Sequence, residues 1–452
     1  MTDLTRAALP ASVLADVIAA VRLGGHMLAE EFSRPEGPRG GEHKAPIDLE
    51  IELMLRPRLL ALIPGRFIGE EAGTIEAQPG SRHADYAWAV DPQDGTKAFG
   101  EGRRGSAVSV GLLHRGVPVL GVVFAPTSPD RGPDMIAWAE GCAAIQRNGA
   151  PVTHDMTDAA LAPGAIVLLN HTSGLRPLTA SGRVAPAGFV PMPSIAYRLA
   201  RIAVGDAVAT MSLNTITALD YAAGHALLRG AGGVLTDGAG TPVTYTDDGD
   251  SEAVGCFGGA PKAVAAMLGR TWRGSNEPRR DWRVSLGWPR AVENAALDRA
   301  VGAMIGMLIG DAARDPAGLT GQPGPAGEAA LACARALVAG EPSPHAGALG
   351  AVPLGIIGAG GEGVAAAISA AIAGADRATV RHLAGEPGDP AIAAALLGAT
   401  EGRQAFPARD GLALMACRPD AALGVARPRP DALWPDDVVD LAEALLLRRV
   451  PC

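Results

Sequence analysis

The chain has 452 residues and a formal net charge of −9, with 48% hydrophobic and 19% charged residues. This length favours two or three domains, and the apolar content excludes a disordered chain. The negative charge argues against a nucleic-acid partner, because tracking a phosphate backbone needs a basic face. The five cysteines form no CxxC pair, so neither a disulfide framework nor a zinc site is predicted.

The N-terminal region predicts two helices separated by a Pro/Gly-rich break. Residues 11–32 carry apolar side chains close to helical spacing, and residues 48–62 form a second helix that Pro57 is expected to kink or interrupt. The N-terminus lacks the basic-then-apolar pattern of a secretory signal, and no uninterrupted apolar run reaches membrane-spanning length. A soluble cytoplasmic protein without a membrane partner is therefore expected.

The middle of the chain mixes strand and helix patterns. Strands are predicted at Ala87–Val90, Ala107–Leu113 and Val117–Phe124, and the last two are joined by a His-Arg-Gly turn. Helices are predicted around Ile195–Val204 and Tyr221–Gly230. This mixture predicts a layered α/β sandwich over residues 1–270.

The composition changes after residue 270. Residues 271–290 are polar, basic and contain Trp and Pro, which is typical of a linker. Beyond them the chain is rich in Ala, Gly and Leu, with almost no strand signal, so residues 291–452 are predicted to form a smaller all-α domain. Its predicted helices are 291–313, 327–340, 362–375, 390–402 and 436–449.

The segment DPQDGT follows an apolar strand and places two carboxylates three residues apart. Asp91 and Asp94 in such a turn can converge on one hard cation such as Mg²⁺, which prefers oxygen ligands. Gly95 and Thr96 then offer backbone N–H groups to phosphate oxygens at a helix start. The alternative is an ordinary surface turn capped by its aspartates.

Three further acidic pieces are ambiguous when each is taken alone. Glu70 and Glu71 follow Gly69 in what is equally a solvated turn, and Asp220 precedes an apolar run as an ordinary helix N-cap does. Asp48 and Glu52 lie four residues apart on the second predicted helix. Only the combination with DPQDGT suggests one shared site.

In order and spacing, IGEEAG, WAVDPQDGTKAF and LDYAAGHALLRGAGG resemble the three signatures of the inositol monophosphatase family. The resemblance covers roughly residues 10–265 and implies an αβαβα sandwich and a Mg²⁺-dependent phosphomonoesterase that uses a metal-activated water. It differs from the family pattern at Gln93, where an apolar residue is usual, and at Leu219, which replaces a Trp. Lys44 lies in a shortened stretch ahead of Asp48.

The resemblance also implies a role for each site residue. The metal ligands would be Glu70, Asp91, Asp94, Asp220 and the carbonyl of Gln93. Asp48 would orient Thr96, and Glu70 with Thr96 would position and deprotonate the attacking water. The substrate-binding residues would be Asp94, Gly95, Thr96 and Asp220.

The resemblance implies that the substrate is a small phosphorylated metabolite, and the motifs favour two branches of the family. DGTKAF and GVVFAP are closer to the 3′(2′),5′-bisphosphate nucleotidases, whereas IGEEAG is closer to the inositol monophosphatases. Residues 165–217 would recognise the alcohol, with Asn170, His171, Ser194 and Tyr197 as candidate contacts. The alternative function is a non-catalytic phosphometabolite or ADP-ribose binding protein, and a homodimer is left open.

Residues 285–435 resemble the ADP-ribosylglycohydrolase family. The run RAVGAMIGMLIGDAAR has a row of glycines that close helix packing alone would explain, but later segments follow in the order of that family. Its acidic metal-binding turns are reduced here to Asp389 and Glu386, together with Asp311. The resemblance therefore implies a catalytically inactive scaffold, dimerisation surface or binding module.

Overall fold

A computed structural model describes residues 3–40, 45–279, 290–291, 293–312, 371, 374–375, 390–416 and 438–447. Within them, both strands and helices occur up to residue 268, and the elements after that residue are helices. The strands are β1 Arg66–Gly69, β2 Tyr86–Asp94, β3 Ala107–His114, β4 Val117–Ser128, β5 Gly132–Ala139, β6 Ile145–Arg147, β7 Ala150–Val152, β8 Ile166–Leu169, β9 Gly188–Pro191, β10 Ala209–Thr217, β11 Val234–Asp237 and β12 Glu252–Gly259.

The described helices fall into two groups along the chain. Those of the first part are α1 Asp3–Phe32, α2 Pro46–Leu62, α3 Thr96–Gly100, α4 Pro177–Val184, α5 Ile195–Ala203, α6 Ala218–Ala231 and α7 Pro261–Leu268, with a 3₁₀ helix at His171–Leu175. Those of the second part are α8 Ala295–Ala312, α9 Pro390–Glu401, α10 Ala408–Met415 and α11 Val438–Leu447, with a 3₁₀ helix at Arg403–Ala405.

Two sheets form the first part of the chain. The first sheet has the order β1 to β7, with β1 parallel to β2 and the other neighbours antiparallel. The second has the order β11-β12-β10-β8-β9, in which β8, β9 and β10 are parallel. Helices α1 and α2 pack on the first sheet, α5 and α6 lie between the sheets, and α4 and α7 pack on the second. The predicted αβαβα sandwich is confirmed.

Small residues allow α6 to lie close to the first sheet. A Cβ atom at Gly121 would lie 2.2 Å from the carbonyl oxygen of Ala223, and one at Gly111 would lie 2.8 Å from its nitrogen. On the other side of α6, a Cβ at Gly224 would meet Leu199 of α5 at 2.6 Å. Gly111 of β3, Gly121 of β4 and Gly224 of α6 therefore set the spacing between these layers. A side chain at any of the three positions would have to displace the neighbouring layer.

The predicted strands correspond to β2, β3 and β4 and the predicted helices to α1, α2, α5 and α6, whereas the other strands of the first part were not predicted. Two of the predicted elements differ in detail. Helix α2 runs through Pro57 without interruption. Pro57 and Leu53 are both exposed, so water can hydrate the Leu53 carbonyl that loses its helical partner. The prediction ended strand β2 just before Asp91. In the structure the strand continues to Asp94, and its pairing with β3 shifts in register between Asp91 and Asp94.

The turn between β3 and β4 follows the prediction. Arg115 and Gly116 have positive φ angles of 51° and 72°, which suits the tight two-residue connection of a hairpin. Because the turn is this short, it pins the register of the two central strands, with His114 paired to Val117.

Helix α1 contains a stretch, Pro10–Phe32, that is long and apolar enough to cross a membrane by length and composition. Its residues Val17, Val21, Leu28 and Phe32 are buried in the cluster that packs against the first sheet. A buried apolar stripe of this kind is typical of a core helix in a globular domain.

The described residues after position 290 are helical and share a core with the first part. Val301, Ile305 and Leu412 belong to the same buried cluster as Val167 and Phe189 of the second sheet. Helices α8 and α9 pack closely, since a Cβ at Gly302 would lie 2.4 Å from the carbonyl oxygen of Gly398. The close-packing interpretation of the glycine row thus holds at this position.

Several predictions for the second part lie outside the described residues. They concern all of 327–340 and most of 362–375, the linker residues 280–289, and the acidic remnants Glu386 and Asp389. Asp311 is in α8, but its side chain is likewise not described. The division into 1–270, 271–290 and 291–452 therefore stays a prediction, as does the inactive glycohydrolase-like character of the last part.

Candidate active site

The DPQDGT segment forms the end of β2 and the start of α3. Asp91 and Asp94 are buried, and the backbone N–H of Gln93 donates to Asp91 Oδ1 at 2.8 Å. The Thr96 hydroxyl donates to the carbonyl oxygen of Gln93 at 3.0 Å. Gly95 caps α3 with φ of 101°, a conformation that favours glycine. The segment thus holds its two carboxylates at the sheet edge.

A second requirement for glycine comes from the space around Gly95. A Cβ there would lie 3.0 Å from Ser106 Oγ and 3.2 Å from Pro193 Cβ, so a side chain would displace the opposite wall. The Ser106 hydroxyl also donates to the Gly95 carbonyl at 3.1 Å. Both the backbone angle and the crowding make this turn specific to glycine.

Asp94 is held by the first turn of α5. Its Oδ2 accepts hydrogen bonds from the Ser194 hydroxyl at 2.6 Å and from the Ala196 N–H at 2.7 Å. Burial, together with the charge of Asp220, raises the pKa of Asp94 to about 7 despite these bonds. Because both bonds go to Oδ2, the other carboxylate oxygen is left for a ligand.

Asp220 approaches from the start of α6. It is the third residue of that helix, and its Oδ2 accepts from the Thr217 N–H at 2.7 Å and hydroxyl at 3.1 Å in a capping box. Asp91, Asp94 and Asp220 each offer one carboxylate oxygen, and these atoms lie within 4.8 Å of one another. The structure therefore brings the two distant motifs to one point.

Glu70 joins this group from the loop after β1. Desolvation of its carboxyl and the charges of Asp220 and Glu71 raise its pKa, although a hydrogen bond with Asp91 opposes the rise. The pKa of Asp91 is raised well above its usual value by burial and by Glu70, Asp94 and Asp220. Glu70 is thus an exposed residue beside the three aspartates, and the charges of Glu70, Asp94 and Asp220 make the ionisation of Asp91 less favourable.

Asp48 lies in the first turn of α2 and is buried beside this group. Burial and the Glu70 charge raise its pKa to about 7, and its Oδ1 has no hydrogen-bond partner among the described residues. The structure has no hydrogen bond between Asp48 and Thr96, whose hydroxyl donates to the Gln93 carbonyl instead. The structure thus shows no direct hydrogen bond through which Asp48 would orient Thr96.

Glu52 was seen in the sequence, but its role in the site was missed. Its fully buried carboxylate accepts from the N–H groups of Glu71 at 2.7 Å and Ala72 at 3.0 Å. A Cβ at Gly69 would lie 2.2 Å from Glu52 Oε1, so that glycine makes room for the contact. Glu52 therefore anchors the loop that carries Glu70, a function that the spacing of Asp48 and Glu52 on one helix could have suggested.

The Gln93 side chain is the least satisfied part of the site. It is 1% exposed, and neither its Oε1 nor its Nε2 has a hydrogen-bond partner among the described residues. A buried unpaired amide costs about 1–3 kcal/mol. The polar residue at this usually apolar position therefore has an energetic cost.

The donor set fits a hard divalent cation. All of its predicted ligands are oxygens, and burial together with repulsion from neighbouring carboxylates raises the pKa values of Glu70, Asp91 and Asp94. The Arg198 guanidinium acts electrostatically on Asp94, but it is itself bonded to Thr210 Oγ1 and the Met211 carbonyl. A bound cation would relieve this repulsion directly.

The model of the inositol monophosphatase family matches residues 10–267. The probable inositol 1-monophosphatase ImpA of Mycobacterium tuberculosis is 30% identical over 243 residues, covering 52% of this chain and 84% of that protein. The inositol-1-monophosphatase of Bacillus subtilis is 30% identical, covering 45% and 75%. The 3′(2′),5′-bisphosphate nucleotidase CysQ of Escherichia coli is 29% identical, covering 36% and 64%.

Solved structures are similar as well. The inositol monophosphatase of Anabaena is 22% identical, covers 59% of this chain and 94% of its own, and gives a TM-score of 0.43. The extragenic suppressor protein suhB of Bartonella henselae is 21% identical, covers 57% and 97%, and gives a TM-score of 0.45. The family match itself spans both sheets and every carboxylate of the converging group.

Proposed function

The chain belongs to the inositol monophosphatase family and is a phosphatase, and we propose that it hydrolyses a small phosphorylated metabolite with Mg²⁺. The observation that carries this proposal is the convergence of Asp91, Asp94 and Asp220 within 4.8 Å. The cation would be held by these three carboxylates, by Glu70 and by the carbonyl oxygen of Gln93. When bound, it neutralises charge on the phosphate oxygens and lowers the pKa of water.

The turn after β2 is the proposed phosphate site. The N–H groups of Gly95 and Thr96 lie where the chain turns from β2 into α3, beside Asp94. Backbone N–H groups at such a turn bind phosphate oxygens without adding a side-chain charge. Ser106 holds the Gly95 carbonyl, and Ser194 holds Asp94, so both walls of this site are rigid.

Glu70 and Thr96 are the proposed partners of the attacking water. The Thr96 hydroxyl commits its proton to the Gln93 carbonyl, which leaves its oxygen to accept a hydrogen bond from water. The Glu70 carboxylate then takes the second proton, a role that its raised pKa favours. Asp48, next to Glu70, would help to retain that proton electrostatically.

The substrate is proposed to be an inositol monophosphate or a 3′(2′),5′-bisphosphate nucleotide. Relatives of both names are about equally similar, at 30% and 29% identity. Phosphate release should be measured from inositol-1-phosphate, adenosine 3′,5′-bisphosphate, fructose-1,6-bisphosphate and histidinol phosphate, with and without Mg²⁺. The substrate class is identified by the ester from which phosphate is released fastest in the presence of Mg²⁺ and not in its absence.

Asp91→Asn tests the site, with Asp85→Asn as a matched control. Asp85 is a more exposed aspartate that pairs with Arg115. We expect Asp91→Asn to abolish phosphate release and Asp85→Asn to leave it unchanged. Wild-type activity in Asp91→Asn would remove this site from consideration. Ligand binding without turnover in the wild type would instead favour the alternative of a binding protein.

We also propose a cytoplasmic location and an inert role for the second part of the chain. The described residues of that part are helical and share a core with the phosphatase domain, which supports a scaffold. A thermal-shift titration of the full chain with ADP-ribose tests whether this part of the chain still binds that ligand. An assay for the release of ADP-ribose from a modified peptide tests whether it still has catalytic activity. Detectable release would refute the inert role.

A further inference from the structure

A cleft of about 580 Å³ lies on the second sheet. Its wall is formed by the 3₁₀ helix at His171–Leu175, by α4, by the irregular part of β10 and by residues 272–275. Three arginines line it, Arg176, Arg183 and Arg273, and no carboxylate lies among its described lining residues. The cleft is therefore a region of positive charge in a chain whose formal net charge is negative.

The three guanidinium groups bind only backbone carbonyls in the described structure. Arg176 Nε donates to the Glu277 carbonyl at 3.0 Å, Arg273 Nη2 donates to the Leu213 carbonyl at 3.3 Å, and Arg183 Nη2 donates to the carbonyl of Gly274. Each guanidinium carries five N–H donors, so most donors remain for a ligand. Among the described residues, no carboxylate forms a salt bridge with any of the three.

The one carboxylate on the adjoining segment has other partners. The Glu277 side chain accepts from the backbone N–H groups of Leu178 and Thr179 at the start of α4. Burial and the charge of Arg176 lower the pKa of Arg183, which is the sign of two cations held close together. An anion between them would relieve this repulsion.

The sheet topology puts this cleft on the same edge as the carboxylates. Because β8, β9 and β10 are parallel, their carboxyl ends lie together. Asn170 of the cleft follows β8, Ser194, which binds Asp94, follows β9, and Thr217, which binds Asp220, ends β10. Asn214 of the cleft precedes Thr217 by about 10 Å of extended chain.

A structural role explains only part of this arrangement. Arg176 and Arg183 attach residues 274–277 to α4, and one N–H of each suffices for that. Arg273 is exposed and makes a single long bond, so it contributes little to holding the segment. The three arginines around the cleft thus carry more hydrogen-bond donors and more charge than the packing of residues 274–277 requires.

We propose that Arg176, Arg183 and Arg273 form a second anion site, which binds a second phosphate group on the substrate. This inference rests on the proposed phosphatase function and selects, within it, esters that carry two phosphates. The carboxylate cluster and the turn at Gly95 bind the phosphate that is cleaved, whereas the arginine cleft binds the phosphate that is retained. Arginine suits this task because its planar fork donates two parallel hydrogen bonds to one phosphate.

The test compares two substrates that differ in one phosphate. Adenosine 3′,5′-bisphosphate and adenosine 3′-monophosphate share the scissile ester, and only the first can occupy both sites. The full-length wild type, Arg273→Gln and Arg273→Lys should be compared with Arg279→Gln. Arg279 is exposed, and it is not among the residues that line the cleft.

We expect Arg273→Gln to raise the KM for the bisphosphate by about tenfold or more, since one charge-assisted hydrogen bond is lost. The KM for the monophosphate and kcat for both should stay the same, and Arg273→Lys should restore part of the loss. Arg183→Gln should act in the same direction, and circular dichroism and its unchanged turnover of the monophosphate show that it is folded. Equal effects on both substrates, or none on either, would overturn the second site.

A binding measurement separates this inference from the proposed function. Calorimetric titration with adenosine 3′,5′-bisphosphate in the absence of Mg²⁺ reports binding to the arginine cleft without turnover. Loss of binding in Arg273→Gln, in a chain that hydrolyses no ester, would support the cleft while the phosphatase proposal fails. Hydrolysis of both esters with no preference, unaltered by the arginine variants, would leave the phosphatase and reject the cleft. Absence of both binding and hydrolysis would reject both.

Discussion

Arg104 donates a hydrogen bond from Nη2 to Oε2 of Glu443 at 3.1 Å, although 339 positions separate the two residues. Glu443 lies in α11 and is fully buried, and Arg290 also donates to both of its oxygens. Burial opposes ionisation, but the charges of Arg104 and Arg290 outweigh it and lower the pKa of Glu443. A C-terminal helix is thus tied by a buried ion network to the loop that follows the proposed phosphate turn.

Removal of the Glu443 charge should destabilise the whole chain. Glu443→Gln removes the buried carboxylate that Arg104 and Arg290 share, and it leaves Arg104 with Glu293 and Arg290 with Asp440. Because breaking one partner of a buried pair costs about 3–5 kcal/mol, we expect a loss near the lower end of that range. Urea unfolding should show this decrease in the free energy of unfolding. The control, Glu36→Gln, alters an exposed glutamate and should change it by less than about 0.5 kcal/mol. A loss below about 1 kcal/mol in Glu443→Gln would show that the network does not join the two parts.

Ser194→Ala should weaken metal-dependent activity without a direct contact to the metal. The hydroxyl holds Asp94 Oδ2 at 2.6 Å and caps α5 by accepting from the Tyr197 N–H at 2.9 Å. Loss of such an outer partner typically lowers metal affinity or activity by about 10–100-fold. The readout is the Mg²⁺ concentration that gives half-maximal phosphate release.

Ser33→Ala is the matched control for this experiment. That hydroxyl donates to the Ala29 carbonyl at the end of α1. The Mg²⁺ dependence of Ser33→Ala should match that of the wild type. An unchanged Mg²⁺ dependence in Ser194→Ala would mean that Asp94 is positioned without Ser194.

Gln93→Leu should stabilise the protein and keep its activity. The substitution removes two buried polar atoms that have no partner among the described residues, and it retains the backbone carbonyl that is the proposed ligand. We expect the free energy of unfolding to rise by about 1–3 kcal/mol in urea titrations. Gln78→Leu, at an exposed position, should show no such gain. A drop in stability together with lost activity would assign the Gln93 amide a function in the site.

Acid should remove the contribution of the buried ion pair between Asp130 and Arg201. Burial raises the pKa of Asp130, but Arg201 outweighs burial and lowers it to about 2, through bonds of 2.7 and 2.8 Å. Because the folded-state pKa is below the unfolded value, the pair stabilises the fold above about pH 4 and this stabilisation disappears as pH falls towards 2. The contribution is about 2 kcal/mol.

The measurement is the thermal midpoint of the wild type and of Asp130→Asn between pH 6 and 2. The wild type should lose stability over the lower half of this range, whereas Asp130→Asn should start lower and change less. Parallel curves for the two proteins would show that Asp130 does not titrate with folding.

The sequence alone determined the fold of the first part and the identity of its acidic residues. Apolar alternation at Ala107–Leu113 and the two-residue turn at Arg115 and Gly116 are local signals, and local geometry alone can satisfy them. The spacing within DPQDGT likewise predicted that Asp91 and Asp94 share a site. In each case the residues that matter are neighbours in the chain.

Only the tertiary structure decided which distant groups support that site. Glu52 anchors the Glu70 loop, Ser194 holds Asp94, and Arg104 meets Glu443, yet no periodicity or motif links the members of these pairs. The arginine cleft also arises only when the residues after β8, α4 and the segment after α7 come together. Hydrogen bonds and charges act over a few ångströms of space, so their partners are set by how the layers pack and not by their order in the chain.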